Sequence, residues 1–211
     1  MAIELFVFPP SPRAFKVLAV ANHLALPYVT HLVDLGKGAQ RGPDFVALNP
    51  NMRMPALRDG DYVLWESNAI LQYLALRCPD SGLLPLDERR RLDVTRWQFW
   101  DLAHWDAAGA IYMFENVVKP MFRKSEPDPA ALERGAEGFH RSAKVLDAQL
   151  AGRRWITGDA LTVADFSIGA LLNHTAAARL PVEEYPAIRR WYAGLAALPA
   201  WQRTLGETAP L

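Results

Sequence analysis

The first thirty residues alternate a short apolar run with turn-forming residues, a pattern typical of a strand followed by a helix. The run Ile3 to Phe8 predicts a short buried strand, which Pro9-Pro10 ends. Ser11 and Pro12 then open a helix, because serine is a good N-cap and proline suits the first helical position. A second strand, Tyr28 to Leu32, is predicted after this helix.

The next fifty residues predict a hairpin and a further helix. Asp59-Gly60, with Asp61 after it, turns the chain between two apolar runs, as expected of a tight hairpin. The apolar positions Ile70 and Leu74 then recur at helical spacing, and this helix is expected to end near Cys78. The order βαβ–ββα predicts a compact α/β domain.

The remainder of the chain carries few strand signals and predicts an all-helical domain. One long helix is expected from Asp87 towards Lys119-Pro120, with Gly109 as the place for a break, and another from Pro129 to Leu150. Thr162 and Asp165 have the spacing of a capping box, for which we expect a structural role. The predicted organisation is therefore an α/β domain at 1–78, a linker at 79–86 and a helical domain at 87–211.

Candidate functional residues lie at two predicted helix starts and at one proline. Ser11 follows the first strand, at the carboxyl end where open α/β sheets bind ligands. Pro55 lacks an N–H, which leaves the backbone of Met54 for an extended peptide lying alongside. Glu66 and Ser67 precede a helix whose N-terminus suits a carboxylate, while Glu66 could hold an ammonium group. The alternative for this pair is purely structural, with Ser67 as a cap and Glu66 in the first turn.

These residues together resemble those of the cytosolic glutathione S-transferases, of the serine-dependent, theta- or phi-like and bacterial-looking type. The resemblance covers nearly the whole chain. It is carried by Ser11, the run LNPNMRMPAL around Pro55, the Glu66-Ser67 pair and the segment 158–165. It implies a thioredoxin-like first domain, an α/β fold followed by a helical bundle, and glutathione as co-substrate.

The resemblance also implies a role for each residue of a glutathione site. Ser11 would donate its hydroxyl to the glutathione sulfur, since the thiolate is the reactive form and a donor favours it. The hydroxyl can cap its helix and still serve the sulfur. The residues expected to hold the tripeptide are Met54 beside a cis-Pro55 for the cysteinyl part, Glu66 and Ser67 for the γ-glutamyl end, and Gln40 or Arg41 with Arg53 for the glycyl carboxylate.

The chain departs from the family pattern just before Pro55. Glycine is common in the family where Met52 stands, and lysine or glutamine where Arg53 stands. The turn before the proline is therefore expected to differ in its contacts.

The aromatic residues of the first long helix suggest a pocket for a second substrate. By the resemblance, this helix lines the site of the electrophile, and we nominate His104, Trp105 and Tyr112 as contacts. Such a pocket prefers flat, apolar small molecules. The alternative for His104 is a surface or core-edge histidine satisfied by a neighbour.

Charge and motifs exclude several other classes of protein. Lys plus Arg and Asp plus Glu both number 23, so the net charge is zero and a broad nucleic-acid footprint is not expected. No metal-binding or phosphate-loop motif occurs, and a single cysteine, Cys78, cannot form an internal disulfide. The N-terminus lacks a leader pattern and no apolar stretch is long enough to span a bilayer, so we expect a cytoplasmic protein with no membrane partner.

The sequence thus predicts a transferase that conjugates the glutathione thiolate to a hydrophobic electrophile, without a metal, as a homodimer. Two alternatives stay open. One is a glutathione-dependent peroxidase, disulfide reductase or dehalogenase that uses the same site. The other is a non-catalytic binding protein with the same fold.

Overall fold

The computed structural model describes residues 2–208; positions 1 and 209–211, which the predicted domains include, lie outside the described residues. Within the described part, the chain divides into two compact units. The first contains residues 2–84 and 197–208, and the second contains residues 85–196. None of the helices among residues 2–208 combines the length and apolar character that crossing a membrane requires.

The predicted fold class, an α/β domain followed by a helical one, is confirmed. The strands are β1 (Ile3–Val7), β2 (Tyr28–Leu32), β3 (Ala56–Asp59) and β4 (Tyr62–Trp65). The helices are α1 (Pro12–His23), α2 (Pro43–Leu48), α3 (Ser67–Leu76), α4 (Glu88–Trp100), α5 (Asp106–Met113), α6 (Lys119–Arg123), α7 (Pro129–Leu150), α8 (Val163–Gly169), α9 (Thr175–Ala178), α10 (Pro186–Ala196) and α11 (Pro199–Glu207).

The four strands form one mixed sheet in the order β2-β1-β3-β4. β1 pairs in parallel with β2, and β3 is antiparallel to both β1 and β4. Ala56 pairs with Phe6 on one side and with Trp65 on the other. The ends of β1 and β4 and the beginning of β3 therefore meet at one edge of the sheet. Because β2 runs parallel to β1, its own end lies at the same edge.

The hairpin between β3 and β4 forms where the sequence predicts it. Asp59 pairs with Tyr62, which leaves a two-residue turn. Gly60 takes a φ of 64°, in the left-handed region that glycine enters at no steric cost.

The core of the first unit lies between the sheet and its helices. α1 is buried along most of its length, and the last helix, α11, packs on it through an edge-to-face contact of Phe15 with Trp201. Residues 197–208 therefore belong with the α/β unit, although the predicted boundary assigned them to the helical domain. The short helix α2 was not predicted; its six residues span too few turns to show a periodicity.

The first long helix of the helical unit continues through Gly109 without a break. It runs from α4 to α6 and contains two π-helical segments, Asp101–Trp105 and Phe114–Val118. A side chain on Gly109 would lie 2.2 Å from the Leu171 side chain. The glycine therefore leaves room for the Leu171 side chain and does not end the helix.

α7 begins and ends at the predicted residues, Pro129 and Leu150. Phe139, Ala143 and Leu146 recur along this helix at spacings of four and three, and all three are buried in the core.

The predicted capping box at the start of α8 is confirmed. Thr162 and Asp165 exchange the two hydrogen bonds that define it, and the Asp165 carboxylate accepts from the Thr162 N–H at 2.9 Å. The same carboxylate also accepts from the Ile156 N–H and from the Trp191 indole N–H, each at 2.9 Å. Burial raises the pKa of Asp165 to about 6, although these hydrogen bonds oppose the rise. Asp165 thus joins three segments of the helical unit.

Candidate functional site

The edge of the sheet at which β1 and β4 end brings together the predicted polar residues of the first unit. The loop to Ser11 leaves β1 at this edge, Met54 and Pro55 enter β3 there, and Glu66 leaves β4 there. The end of β2 at the same edge leads to the 3₁₀ turn Ala39–Arg41. Sheet register alone therefore gathers segments that lie up to 56 positions apart in the chain, from Ser11 to Ser67.

Ser11 occupies the N-cap position of α1 but does not cap it with its side chain. Its backbone is extended, with φ −79° and ψ 131°, and its C=O accepts the Phe15 N–H at 2.9 Å. The side chain makes no capping hydrogen bond, and the residue is buried, with 8% of its surface exposed. Pro12 has no N–H to satisfy. The hydroxyl is therefore held at the positive end of a helix without being used by it.

The loop before Pro55 is organised by a buried asparagine. Asn49 donates from its side-chain amide to the C=O of Arg53 and accepts the backbone N–H of Asn51 at 3.0 Å. Met52 takes a φ of 55°, which L side chains rarely adopt. This left-handed conformation is the physical reason that glycine suits this position. The Met54–Pro55 peptide bond is cis, which confirms that expectation.

The start of α3 is open to a ligand. The first hydrogen bond within the helix runs from the Ile70 N–H to the Glu66 C=O, at 3.0 Å, so the N–H groups of residues 67–69 have no acceptor within the helix. The side chain of the N-cap residue, Glu66, does not cap this end, and no acidic residue stands in its first turn. Ser67 is buried, whereas Glu66 is exposed and has a φ of 71°. A positive φ at a non-glycine residue is strain of the kind that accumulates at binding sites.

The three candidates for the glycyl carboxylate lie in two loops. Gln40 is half-buried in the 3₁₀ turn, and its side-chain oxygen is buried without a partner among the described residues. Arg41, beside it, and Arg53, before the cis bond, are exposed. Both loops adjoin the same edge of the sheet, and a shared role of these residues at one carboxylate stays a prediction.

Comparison with known proteins shows the family to which this chain belongs. Residues 1–76 match the family described as "Glutathione S-transferase, N-terminal domain", and residues 129–194 match "Glutathione S-transferase, C-terminal domain". Glutathione S-transferase 3 of Zea mays is 36% identical over 210 residues, which cover 96% of this chain and 93% of the maize protein. The chain belongs to the glutathione S-transferase family.

Two further members are informative about the site. The disulfide-bond oxidoreductase YfcG of Escherichia coli is 30% identical over 212 residues, covering 96% of this chain and 94% of that protein. A glutathione transferase family member from Pseudomonas fluorescens, solved with two glutathione molecules bound, is 28% identical with a TM-score of 0.86. The match covers 97% of this chain and 92% of the solved one.

The three aromatic candidates for a second substrate in this glutathione S-transferase lie in different surroundings within the helical unit. Trp105 is fully buried and donates its indole N–H to the Ile168 C=O at 3.1 Å. Tyr112 packs edge-to-face on Phe139, and burial raises the pKa of its hydroxyl. His104, in contrast, is exposed. The pattern of aromatic residues did not distinguish these interior rings from the surface histidine.

His104 lines a cavity of about 480 Å³ between the first long helix and α7. Trp100 and Ile111 give the cavity an apolar wall, and Arg134 and Arg141 of α7 give it positive charge. Among residues 2–208, no three His, Cys, Asp or Glu side chains are grouped so that they could hold a metal ion.

Sequence reasoning missed one buried pair of side chains next to the start of α3. Lys16 lies on α1 with only 2% of its surface exposed, and its ammonium donates to the Asn68 side-chain oxygen at 2.7 Å. The signal was a lysine within the otherwise apolar run AFKVLAVA. A buried lysine in such a run indicates a specific partner, but the sequence does not show which one.

Proposed function

We propose that this protein is a glutathione transferase of the serine-dependent, theta- or phi-like type. The observation that carries the proposal is the state of Ser11, whose hydroxyl lies at a helix N-terminus and does not cap it. A hydroxyl so placed can donate to a sulfur anion, and the helix dipole acts in the same direction. The maize relative, named a glutathione S-transferase, supports this assignment.

The reaction needs the thiol of glutathione to lose its proton. A free thiol has a pKa of about 8.5, and a donor together with a positive dipole lowers that value. The thiolate then attacks an electrophilic carbon, and a C–S bond forms. In a substitution the bond from carbon to the leaving group breaks and the leaving group departs with the electron pair, while the proton passes to water.

The remaining residues at the sheet edge would hold the tripeptide. Met54 would pair its backbone with the cysteinyl part as an added strand does. The open start of α3 would receive the γ-glutamyl carboxylate at Ser67, and the exposed Glu66 would pair with the ammonium group. The proposed contacts of the glycyl carboxylate are Gln40, Arg41 and Arg53. Bound glutathione in the relative from Pseudomonas fluorescens supports a tripeptide site in this fold.

For the electrophile we propose contact with His104, beside the apolar wall that Trp100 provides. Trp105 and Tyr112 are buried in the core of that unit, so we assign them a supporting role behind the pocket. Flat aromatic electrophiles suit such a surface.

We also propose that the protein is a homodimer. Each unit exposes large apolar side chains, such as Trp65 in the first and Leu92 and Phe99 in the second. Phe99 is 68% exposed, and Leu92 on the same helix is 61% exposed. Sedimentation at micromolar concentration should give twice the chain mass, and a monomer would contradict this proposal.

The decisive experiment combines binding and turnover. Calorimetry with reduced glutathione should show one site per chain, and an activated aryl halide should release halide only when glutathione is present. Failure to bind glutathione would refute the proposal and favour a binding protein with another ligand.

Glutathione-dependent disulfide reduction is the second candidate, and the relation to YfcG supports it. In that reaction the thiolate attacks a disulfide sulfur, the S–S bond breaks and one thiolate leaves. A second glutathione then attacks the resulting mixed disulfide, which gives glutathione disulfide and releases the second thiol. A panel of aryl halides, peroxides and mixed disulfides distinguishes the two. A higher kcat/KM with mixed disulfides than with aryl halides would favour reduction.

A further inference from the structure

The cavity between the first long helix and α7 carries positive charge without an acidic counterpart in its lining. The lining includes Arg134, Arg141 and His104 and contains no acidic side chain. Arg134 and Arg141 are seven residues apart, so they lie about two turns from each other on the same face of α7. Because arginine keeps its proton in proteins, one wall of the cavity holds two permanent positive charges.

Neither arginine has an ionic partner within the described part of the chain. Glu137 stands three positions after Arg134 and four positions before Arg141, spacings at which ion pairs form readily on a helix. Even so, no acidic side chain among residues 2–208 forms an ion pair with either guanidinium group. The two charges are therefore available to a ligand.

A buried hydroxyl of the same cavity also has no partner. Ser142 belongs to the lining, and only 5% of its surface is exposed. A serine within a helix can donate to the C=O four residues earlier, but the Ser142 hydroxyl makes no hydrogen bond to any residue from 2 to 208. Burial of a hydroxyl without a partner costs free energy. An acceptor group on a ligand would remove that cost.

The wall formed by the first long helix suits a flat ring. Trp100 and His104 lie one turn apart on this helix, with ring centroids 6.3 Å apart, and Ile111 continues the same face. The small residues Ala107 and Gly138 also line the cavity and leave space between the two helices. The volume of about 480 Å³ lies in the range of sites that bind small molecules.

We propose that this cavity binds an aromatic carboxylate and that the electrophile of the transferase belongs to this class. The ring packs on Trp100, and the carboxylate accepts from Arg134, Arg141 and the Ser142 hydroxyl. As a statement about the electrophile, this inference rests on the proposed function. It adds a requirement for negative charge to the preference for a flat ring.

The first test compares two electrophiles that differ in charge. 4-Chloro-3,5-dinitrobenzoate and 4-chloro-3,5-dinitrobenzamide have the same ring and the same chloride leaving group. Each kcat/KM is divided by the rate constant of the uncatalysed reaction with glutathione, which removes the difference in intrinsic reactivity. The benzoate should then be preferred about ten- to hundredfold, the effect of one charged hydrogen bond. Equal values or a preference for the benzamide would overturn the proposal.

Arg134→Gln and Arg141→Gln identify the groups that recognise the charge. Both side chains are exposed, so the variants should fold as the wild type does. Each should raise KM for the benzoate about tenfold with little change in kcat, and should leave both parameters for the benzamide within about twofold. Arg89→Gln, at an exposed arginine of α4 outside the cavity lining, is the matched control and should change neither substrate.

The variants can contradict the proposal in two ways. An equal loss for the benzoate and the benzamide would mean that the arginines support the site as a whole and do not recognise charge. Wild-type KM for the benzoate in both variants would mean that no guanidinium group contacts the carboxylate.

Binding without chemistry distinguishes this inference from the proposed function. 3,5-Dinitrobenzoate lacks the leaving group, and calorimetry without glutathione should give it a Kd about tenfold lower than that of 3,5-dinitrobenzamide. The double variant Arg134→Gln/Arg141→Gln should lose this difference. If the benzoate binds in this way but its chloro analogue is not conjugated, the transferase proposal is refuted and the carboxylate site stands. If both chloro compounds are conjugated equally and both unreactive analogues bind equally, only the carboxylate site is refuted.

Discussion

The helix starts of the two units differ in how their backbone donors are satisfied. In the helical unit, the Asp87 side chain accepts the Arg90 N–H at the start of α4, at 2.9 Å. The Asp128 side chain accepts the Ala130 N–H at the start of α7, at 3.0 Å, and α8 has its complete capping box. In the α/β unit, α1 and α3 begin without any such bond from a described side chain.

For α1 and α3 we interpret the missing cap as part of the ligand site proposed above, although α2 and α11 of the same unit also begin without a side-chain cap. A missing side-chain cap costs about 1 kcal/mol, and acidic residues in the first turn stabilise a helix further. α1 and α3 have neither. Both begin at the same edge of the sheet, so the positive ends of their dipoles lie there. A tripeptide with a thiolate and a carboxylate could use both ends.

The largest expected effect is a loss of stability when Asp165, which caps the start of α8, is replaced. Asp165→Ala leaves the buried N–H groups of Ile156, Thr162 and Trp191 without their acceptor. Each unpaired buried donor costs about 1–3 kcal/mol, so the free energy of unfolding should fall by roughly 4 kcal/mol or more. Urea unfolding measures this change.

The control for that variant is Asp159→Ala, at an exposed acidic residue of the same unit. Its midpoint should lie close to the wild-type value, because isolated surface substitutions usually change stability by less than about 0.5 kcal/mol. An Asp165→Ala protein as stable as this control would show that the carboxylate does not hold the three segments together.

At the uncapped start of α1, we expect a substitution to lower activity and to leave stability nearly unchanged. Ser11→Ala removes a hydroxyl that makes no capping bond, so the free energy of unfolding should change by less than about 0.5 kcal/mol. The rate of conjugation at saturation should fall roughly a hundredfold, as when one donor to a reacting anion is lost. The pH profile of kcat should also move upward, because the bound thiol loses its donor.

Ser125→Ala, at an exposed serine of the helical unit, is the matched control and should leave both rate and stability unchanged. Full conjugation activity of Ser11→Ala at every pH would mean that another donor stabilises the sulfur.

The features that sequence predicted are those set by neighbours along the chain. The hairpin at Gly60, the helix α7 and the capping box at Thr162 all depend on residues a few positions apart. Each has a mechanism that is visible in the order of residues, because turn geometry, helical periodicity and N-terminal capping are local.

What the sequence did not show depends on distant partners. The close approach of Leu171 explains why Gly109 lies within a helix, and the contact of Phe15 with Trp201 brings α11 onto α1. Similarly, the bond from Lys16 to Asn68 could not be foreseen, since the apolar run around Lys16 does not name its partner. The sequence predicted which residues form the candidate site, because they belong to recognisable motifs. It did not predict the contacts that support those residues.

A smaller effect is expected at Glu66, where stability and binding should change in opposite directions. Glu66→Gly relieves a positive φ, which should stabilise the protein by about 1 kcal/mol. It also removes the proposed partner of the ligand ammonium, so KM for glutathione should rise about tenfold, the loss of one charged hydrogen bond. Thermal melts and steady-state kinetics measure the two effects.

Lys124→Gly is the matched control, since Lys124 in the helical unit also has a positive φ, of 50°. It should show a similar gain in stability and no change in KM. If Glu66→Gly gained stability and kept the wild-type KM, the strain at Glu66 would have no connection with the ligand.

The smallest expected effect concerns a carboxylate that helps to hold the start of α7. Glu115 is buried and accepts from the Lys119 ammonium at 2.8 Å and from the Asp128 N–H at 2.6 Å. These bonds hold the pKa of Glu115 below its ordinary value of 4.5, with Lys119 as the larger cause. A lowered pKa means that the carboxylate stabilises the fold above about pH 4.5 and that this contribution is lost as pH falls through the folded value. Urea midpoints of the wild type and Glu115→Gln should therefore differ at pH 7 and converge as the pH falls below the lowered pKa of Glu115, and a gap that stays constant as the carboxylate is protonated would show that the charge of Glu115 does not stabilise the helix start.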